Sequence, residues 1–390
     1  MAIGIPIHPF TQGPSPEIKR PPARQPEPGT LVVIDHFSSS PQFEDHGDTA
    51  LRAARQHGFR GPTQKVTLGR ELDYRRAEGK ISGPTAFEKE IQIAQELAQA
   101  GLKPERVRQL LTQDALNQQV ALLDEVGAEL QQLKQSGLKN SAVNLSFGTN
   151  PQRIAQRQYE ELMADGAPAL FNHRTNNVMA ALGVTREKLH HPDPNTNGPE
   201  RAKLQQGLID LAEASSDHPQ LKQAKQRYRK DVQALEAQHN SVVVSSGNQE
   251  QVADKLAQDA NGIRPRIDPS KNVNVLVNSE VTTVGATRWW SKDGQLSEHL
   301  AGYSNRSSEV DLYASGSVPS RNRPDGPPDK GTSFAAPRVT AAMAAKHRAH
   351  PHLNSRQIED LVKQSLTHQT QGEPVLNYEK TAAYLQGQTF

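Results

Sequence analysis

Short runs of β-branched and aliphatic residues recur along the chain, each bounded by turn-forming residues. They are LVVI at Leu31–Ile34, KVTL at Lys65–Leu68, SAVNLSFG at Ser141–Gly148 and NSVVVSSGN at Asn240–Asn248, then VNVLV at Val273–Val277, VTTVGA at Val281–Ala286 and EVDLYA at Glu309–Ala314. A run that is apolar at successive positions suits a strand buried on both faces. Most of these runs are separated by stretches with helical spacing. Strands of this kind alternating with helices form a mostly parallel sheet with helical crossovers on each side. The pattern predicts an α/β, doubly wound fold.

The remaining composition narrows the function classes. The chain has 390 residues, a net charge of +2 and no cysteine. Disulfides, thiolate metal sites and thiol catalysis are excluded. The small net charge, with basic residues beside Glu and Asp, argues for no nucleic-acid partner and no anionic membrane. No run of about 18 apolar residues suggests a membrane span. The mean hydropathy of −0.72 implies that a compact core shares the chain with polar helices and tails. Residues 1–30 are Pro-rich and polar, without the basic-then-apolar order of a secretory signal, and are expected to form a flexible arm. Residues 31–390 are read as the folded unit.

Two regions of that unit read as polar helix. Residues 85–139 include EKEIQIAQELAQA and ALLDEVGAELQQLKQ, with apolar residues three and four apart. Residues 152–239 form the second region. It separates two strand-like runs by about ninety residues, far more than a usual connection, and so reads as an insertion. Near the C-terminus, Asn354 is a plausible N-cap and a short last helix is expected at Tyr378–Leu385.

Four polar positions stand out against this frame. In GTSFAAPRVTAAMAA, Gly331–Ala345, Ser333 sits where an alanine-rich helix begins and free N–H groups point outward. It is either the cap of a scaffold helix or an exposed nucleophile, with Pro337 placed in the first turn or so. A serine nucleophile needs a base, and the base an orienting acid. Asp35 follows LVVI directly, at the C-terminal end of a strand, where doubly wound sheets build their sites. His46 lies just before a helix running to about Gln56. Its rival His57 reads as a helix C-terminus capped by Gly58. His36 adjoins Asp35 and faces the opposite side of a strand, and Asp45 is expected to be solvated. Asn248, after Gly247 at the end of VVVSSGN, is either an ordinary turn residue or an amide donor.

Taken in order, these segments resemble those of the subtilisin-like serine proteases, the subtilases of peptidase family S8. VVIDHF resembles the Asp motif, HGDTALRAA the His-Gly motif and NLSFG the substrate-binding edge. VVVSSGN resembles the segment carrying the oxyanion Asn, VTTVGAT the strand after it, YSNRSSEVDLYASG the Ser-Asn…Val-Asp…Ala-Pro-Gly segment and GTSFAAP the nucleophile motif. The likeness covers residues 31–69, 140–149 and 240–350. It implies a sheet of the subtilisin type with an inserted helical region. It also implies a serine endopeptidase acting through an acyl-enzyme, with Asp35, His46 and Ser333 as its triad. Asn248 and the Ser333 backbone N–H would bind the oxyanion. Ser146, Phe147 and Gly148 would form one wall of the substrate pocket, and Ser245, Ser246 and Gly247 the other. The implied partner is a protein or peptide substrate. The alternatives are a catalytically inactive binding protein on the same scaffold, or an esterase or transamidating enzyme on the same triad.

The chain departs from the family pattern in places. Asp35 and His46 are closer in sequence than usual, and calcium sites often lie in that interval. No metal ligand is therefore assigned and no cofactor is expected, although calcium stays open. Asp193, Asn195, Asn197 and Gly198 fit the start of a calcium loop, but Leu204 stands where its last ligand belongs, so a Pro- and Asn-rich turn is expected. Ala314-Ser315-Gly316 replaces Ala-Pro-Gly. Thirty Pro-rich residues are too few for a folded inhibitory pro-domain. Restraint by a separate inhibitor protein, or by the helical insertion covering the cleft, is expected instead. So is a cytoplasmic location, or secretion without a standard signal peptide. Trp289-Trp290 is expected to pack over the sheet edge.

Overall fold

The computed structural model describes residues 26–37, 45–56, 58–164, 172–321 and 325–387. Most of the expected arm, and His57, lie outside the described residues. The chain order is β1 (Leu31–Asp35), α1 (His46–Gln56), β2 (Thr63–Thr67), α2 (Arg70–Ala77), α3 (Ala86–Leu97), α4 (Pro104–Gln135) and β3 (Ala142–Leu145). Five helices follow: α5 (Pro151–Met163), α6 (Asn172–Leu182), α7 (Arg186–Leu189), α8 (Pro194–Ala214) and α9 (Pro219–Glu236). Then come β4 (Ser241–Ser245), α10 (Gln249–Asp259), the hairpin β5 (Thr282–Lys292) and β6 (Gln295–Leu300), β7 (Leu312–Ser315), and the short pair β8 (Ser317–Val318) and β9 (Asp329–Lys330). The chain closes with α11 (Thr332–Ala349), α12 (Ser355–Leu366), β10 (Thr367–Thr370), β11 (Glu373–Leu376) and α13 (Tyr378–Leu385).

The main sheet runs β10-β11-β7-β5-β4-β3-β1-β2, with β6 paired to β5. From β2 through β11 every neighbouring pair is parallel, and β6 and β10 are antiparallel additions. This is the α/β architecture with a mostly parallel sheet that the sequence predicts. Side chains alternate across it as the pleat demands. Leu31 and Val33 face a core shared with α1, α11 and α12. Val32 and Ile34 face a second core shared with α4 and α9. The chain leaves β1 toward β2 on one side and resumes at β3 on the other. This places a topological switch point, and with it a crevice, at the carboxyl end of β1.

Helix α11 is buried along most of its length in the first core. Ala335, Ala336, Ala341, Ala342 and Ala344 are fully buried, as are Val339 and Met343. A helix apolar all round belongs in an interior, and its alanines let it run close to the strands. Pro337 falls in the second turn, deeper than the sequence suggests, and denies a hydrogen bond to the Ser333 carbonyl.

A third core holds α3, α5, α6, α7, α8 and α10 together as a helical layer. The long helix α4 belongs to two cores. Val107, Leu110, Leu111 and Ala115 pack into the helical layer, while Leu116, Leu123, Val126 and Leu130 pack under the sheet. The region 152–239 therefore divides in two. Helices α5 to α8 build the added layer, whereas α9 packs Leu221, Tyr228, Val232 and Leu235 against the sheet core as the β3-to-β4 crossover.

Some sequence expectations change here. Val273–Val277 is not a strand but a turn-rich loop, with Val275 and Leu276 buried. Its alternation with Asn272, Asn274 and Asn278 supplies side chains that hydrogen-bond the loop to itself instead of leaving it free for a ladder. Asp193 does not begin a free turn: it caps α8, accepting from Asn195 N at 3.0 Å and Thr196 Oγ1 at 3.0 Å. Trp289 and Trp290 stand out on the β5–β6 hairpin, 53% and 49% exposed, rather than packing over the edge. Asn354 caps α12 in a capping box with Gln357.

His347 of α11 is fully buried at the amino-terminal end of the sheet, its Nε2 2.8 Å from Ser241 Oγ. Burial, and secondarily His239, push its pKa down to about 3. Nearby Glu236 of α9 is pushed up to about 7, also chiefly by burial. The two act with opposite sign. A depressed histidine costs stability as pH falls below its unfolded value near 6.5, because the unfolded chain then binds the extra proton. A raised carboxyl gains stability over the same fall. Substituting His347→Gln should therefore remove an acid-dependent loss of about 2 kcal/mol between pH 7 and pH 5. Denaturant unfolding of both proteins at the two pH values measures it.

Candidate functional site

The site forms where β1 ends. Asp35 is 1% exposed, and a buried carboxylate needs partners. Its Oδ1 accepts from His36 N at 2.8 Å. Its Oδ2 lies 2.9 Å from His46 Nδ1 and accepts from Ser146 Oγ at 3.2 Å. Ser146 is set in turn by Asn144 Nδ2 at 2.8 Å, and Thr340 Oγ1 of α11 reaches Asn144 Oδ1 at 3.3 Å. His46 is the first residue of α1, not the one before it, and the short interval from Asp35 is enough to bring the two together. Gly47 permits this: a Cβ there would lie 2.6 Å from His36 O and 2.9 Å from Asp35 Cβ. With Nδ1 on Asp35, the imidazole presents Nε2 to the cavity. Phe334 backs the ring, with centroids 5.8 Å apart.

Ser333 is the second residue of α11, half-buried at the mouth of the same cavity as His46. No hydrogen bond joins the two side chains, a contact that catalytic pairs commonly tighten only when substrate is bound. Opposite, Asn248 is held by its oxygen, which accepts from Thr332 N at 3.0 Å and Thr332 Oγ1 at 3.1 Å. This fixes the amide so that its Nδ2 is free to point elsewhere. A methyl built on Gly331 would stand 3.2 Å from Asn248 Nδ2 and 3.7 Å from Ser333 N. The two donors thus border one small space beside the Ser333 backbone, of a kind that can receive an oxyanion.

The cavity measures about 330 Å³ and joins both halves of the crevice; Phe147, Gly148, Ser245 and Gly247 are among its lining residues. Ser146 and Ser246 are not. Both are buried, at 0% and 1% exposure. The Ser146 hydroxyl serves Asp35 instead of forming a wall. For Ser246 alternation explains the departure, since Ser245 and Gly247 on either side of it face the cleft and it points away. Among the described residues of the added helices, only α5 reaches the cavity, through Arg153 in its first turn. Among the described residues no group of three or more His, Asp or Glu could hold a metal ion, and no helix is long and apolar enough to cross a membrane.

Sequence reasoning missed three supports: Asn144, Thr332 and Asn274. Asn144 carried a readable signal, an uncompensated amide inside the apolar run AVNL, since a buried polar group there demands a partner. Thr332 is hidden in a motif that reads as a helix start. Asn274 sits in a segment that mimics a strand.

Chemically, the arrangement couples a hydroxyl at a helix N-terminus, an imidazole oriented by a buried carboxylate, and two convergent N–H donors. That set suits acyl transfer through a tetrahedral intermediate. A Gly331→Ala change should place a methyl in the donor space and lower kcat by about 10²-fold or more while sparing stability. Steady-state kinetics beside a thermal melt test this.

The model of the subtilase family, Peptidase_S8, matches residues 139–380, more than half the chain and including Asn248 and Ser333 but not Asp35 or His46. No protein of curated function matches significantly in sequence. Similar solved structures include a lanthipeptide protease (11% identity, 91% of this chain and 87% of that chain covered, TM-score 0.40). Another is the nisin leader peptidase NisP from Lactococcus lactis (12% identity, 94% and 90% covered, TM-score 0.38). A third is the prenylagaramide maturation protease PagA (12% identity, 93% and 96% covered, TM-score 0.40).

Proposed function

The chain belongs to the subtilase family of serine peptidases, and from that premise we propose that it is an endopeptidase whose triad is Asp35, His46 and Ser333. The observation that carries this reading is the His46 Nδ1 to Asp35 Oδ2 contact of 2.9 Å at the cavity that Ser333 also lines. In the proposed reaction the Ser333 hydroxyl attacks the scissile carbonyl and His46 Nε2 takes its proton. Asp35 holds the imidazole in the tautomer that leaves Nε2 unprotonated, and then stabilises the cation. Asn248 Nδ2 and Ser333 N receive the oxyanion. His46 passes the proton to the leaving amine, and water repeats the sequence on the acyl-enzyme.

The proposed substrate is a protein or peptide held in extended form along Phe147 and Gly148, where the chain continues past the end of β3. Backbone pairing of that kind gives affinity, while pockets between alternate side chains give selectivity. A fluorophosphonate probe should label the wild-type protein at Ser333 and leave Ser333→Ala unlabelled. Asn248→Ala should retain the fold and lose about 10²–10³ in kcat, as removal of such a donor does in proteases of this kind. Absence of labelling, or labelling that survives Ser333→Ala, would overturn the proposal.

A further inference from the structure

Strands β3 and β4 pair as far as Leu145 and Val244, and beyond that the chain continues as the two walls of the cavity. The fork between them is where the side chain preceding the cut would enter, on the proposed peptidase reading. The base of this fork is occupied. Asn274 Nδ2 donates to Ser245 O at 2.8 Å and to Phe147 O at 3.3 Å, one proton to each wall. Its Oδ1 accepts from Leu276 N at 3.2 Å. The side chain is 4% exposed. It lies flat on Gly148, where a Cβ would come within 2.1 to 2.3 Å of its amide atoms.

The segment carrying Asn274 is tied down on both sides. Val275 N donates to Thr149 O at 2.9 Å. Two residues earlier, Asn272 O accepts from Asn150 Nδ2 and from Gln249 Nε2, each at 2.9 Å, and Asn272 Oδ1 accepts from Gln152 N at 2.7 Å. Withdrawing Asn274 to admit a long side chain would strand two wall carbonyls and break these ties, which is costly for buried groups. A small side chain needs no such withdrawal.

We infer that Asn274 is a fixed crossbar that sets the depth of the substrate pocket, so that the enzyme cleaves after glycine, alanine or serine in preference to leucine or phenylalanine. Asn274 thus acts on specificity by occupying space at the reacting residue's side chain, and its removal deepens the pocket.

The test uses internally quenched peptides identical except at the residue before the cut, with Gly, Ala, Ser, Leu or Phe there. The wild-type protein should show kcat/KM about tenfold or more higher for Ala or Ser than for Leu or Phe, a margin a sterically limited pocket supplies. Asn274→Gly should narrow or reverse that ratio, mainly by raising the Leu and Phe values. Asn274→Ser, which keeps a polar group with less volume, should fall between and serves if the glycine variant folds poorly. Equal or faster cleavage after Leu or Phe in the wild type overturns the inference. So does a uniform loss across all five peptides in both variants, the mark of a purely structural bond. Labelling of Ser333 by the fluorophosphonate is read on the same samples. Labelled protein with the wrong preference refutes the crossbar alone, whereas unlabelled protein that cleaves none of the peptides refutes the peptidase reading and the crossbar with it.

Discussion

The structure depends on a helix that has no solvent side. Helix α11 is buried along most of its length against the middle strands of the sheet, and only small side chains permit so close an approach. Its position fixes where its first turn emerges, at the carboxyl edge of the parallel strands. There Ser333 lines the same cavity as Asp35 at the end of β1, without a loop between its hydroxyl and the core. Buried polar contacts then set the register. Thr340 on α11 touches Asn144 on β3, which holds Ser146, which holds Asp35. Arg338 on α11 is also buried and reaches Gln56 at the end of α1 and the Ser317 carbonyl. The helix that carries the serine is therefore tied to the strand that carries the acid and to the helix that carries the histidine.

The frame of the fold was legible because parallel strands covered on both faces need continuous apolar runs, and few other segments in the chain have them. Leu31–Ile34 and Val242–Val244 read correctly for that reason. Val273–Val277 misled because alternating Val and Asn satisfies a period of two while the amides prefer local backbone partners. VTTVGA was legible as the buried first half of β5, but its extension through Trp289-Trp290 with β6, and the pair β10–β11, went unseen: these stretches are polar or exposed, and Asp293-Gly294 and Gln371-Gly372 carry the turn signal alone. Helix α2 was missed because its residues, RELDYRRA, show no apolar stripe.

The candidate site was legible where chemistry requires a residue type at a strand end or helix start. Asp35, His46, Asn248 and Ser333 stand at such places, and the structure gathers all four around one crevice. The supports were not legible, since their role comes from long-range geometry. Ser146 reads as a wall residue until its burial turns the hydroxyl toward Asp35. Asn274 has meaning only once the loop bearing it lies across two strands far from it in sequence.

Helix α4 has a consequence for the molecule as a mechanical object. It is a single 32-residue rod, seated in the helical layer up to Ala115 and beneath the sheet from Leu116 onward. Neither core can lose its share of the rod without loosening the other, so the added layer is not a detachable module. Separate melting of layer and sheet would require breaking a continuous helix in its middle, where each turn is held by its own hydrogen bonds. The layer and the sheet should rise and fall together as one cooperative unit. In a peptidase surrounded by its own copies, that joint character leaves few half-open states for a neighbour to cut.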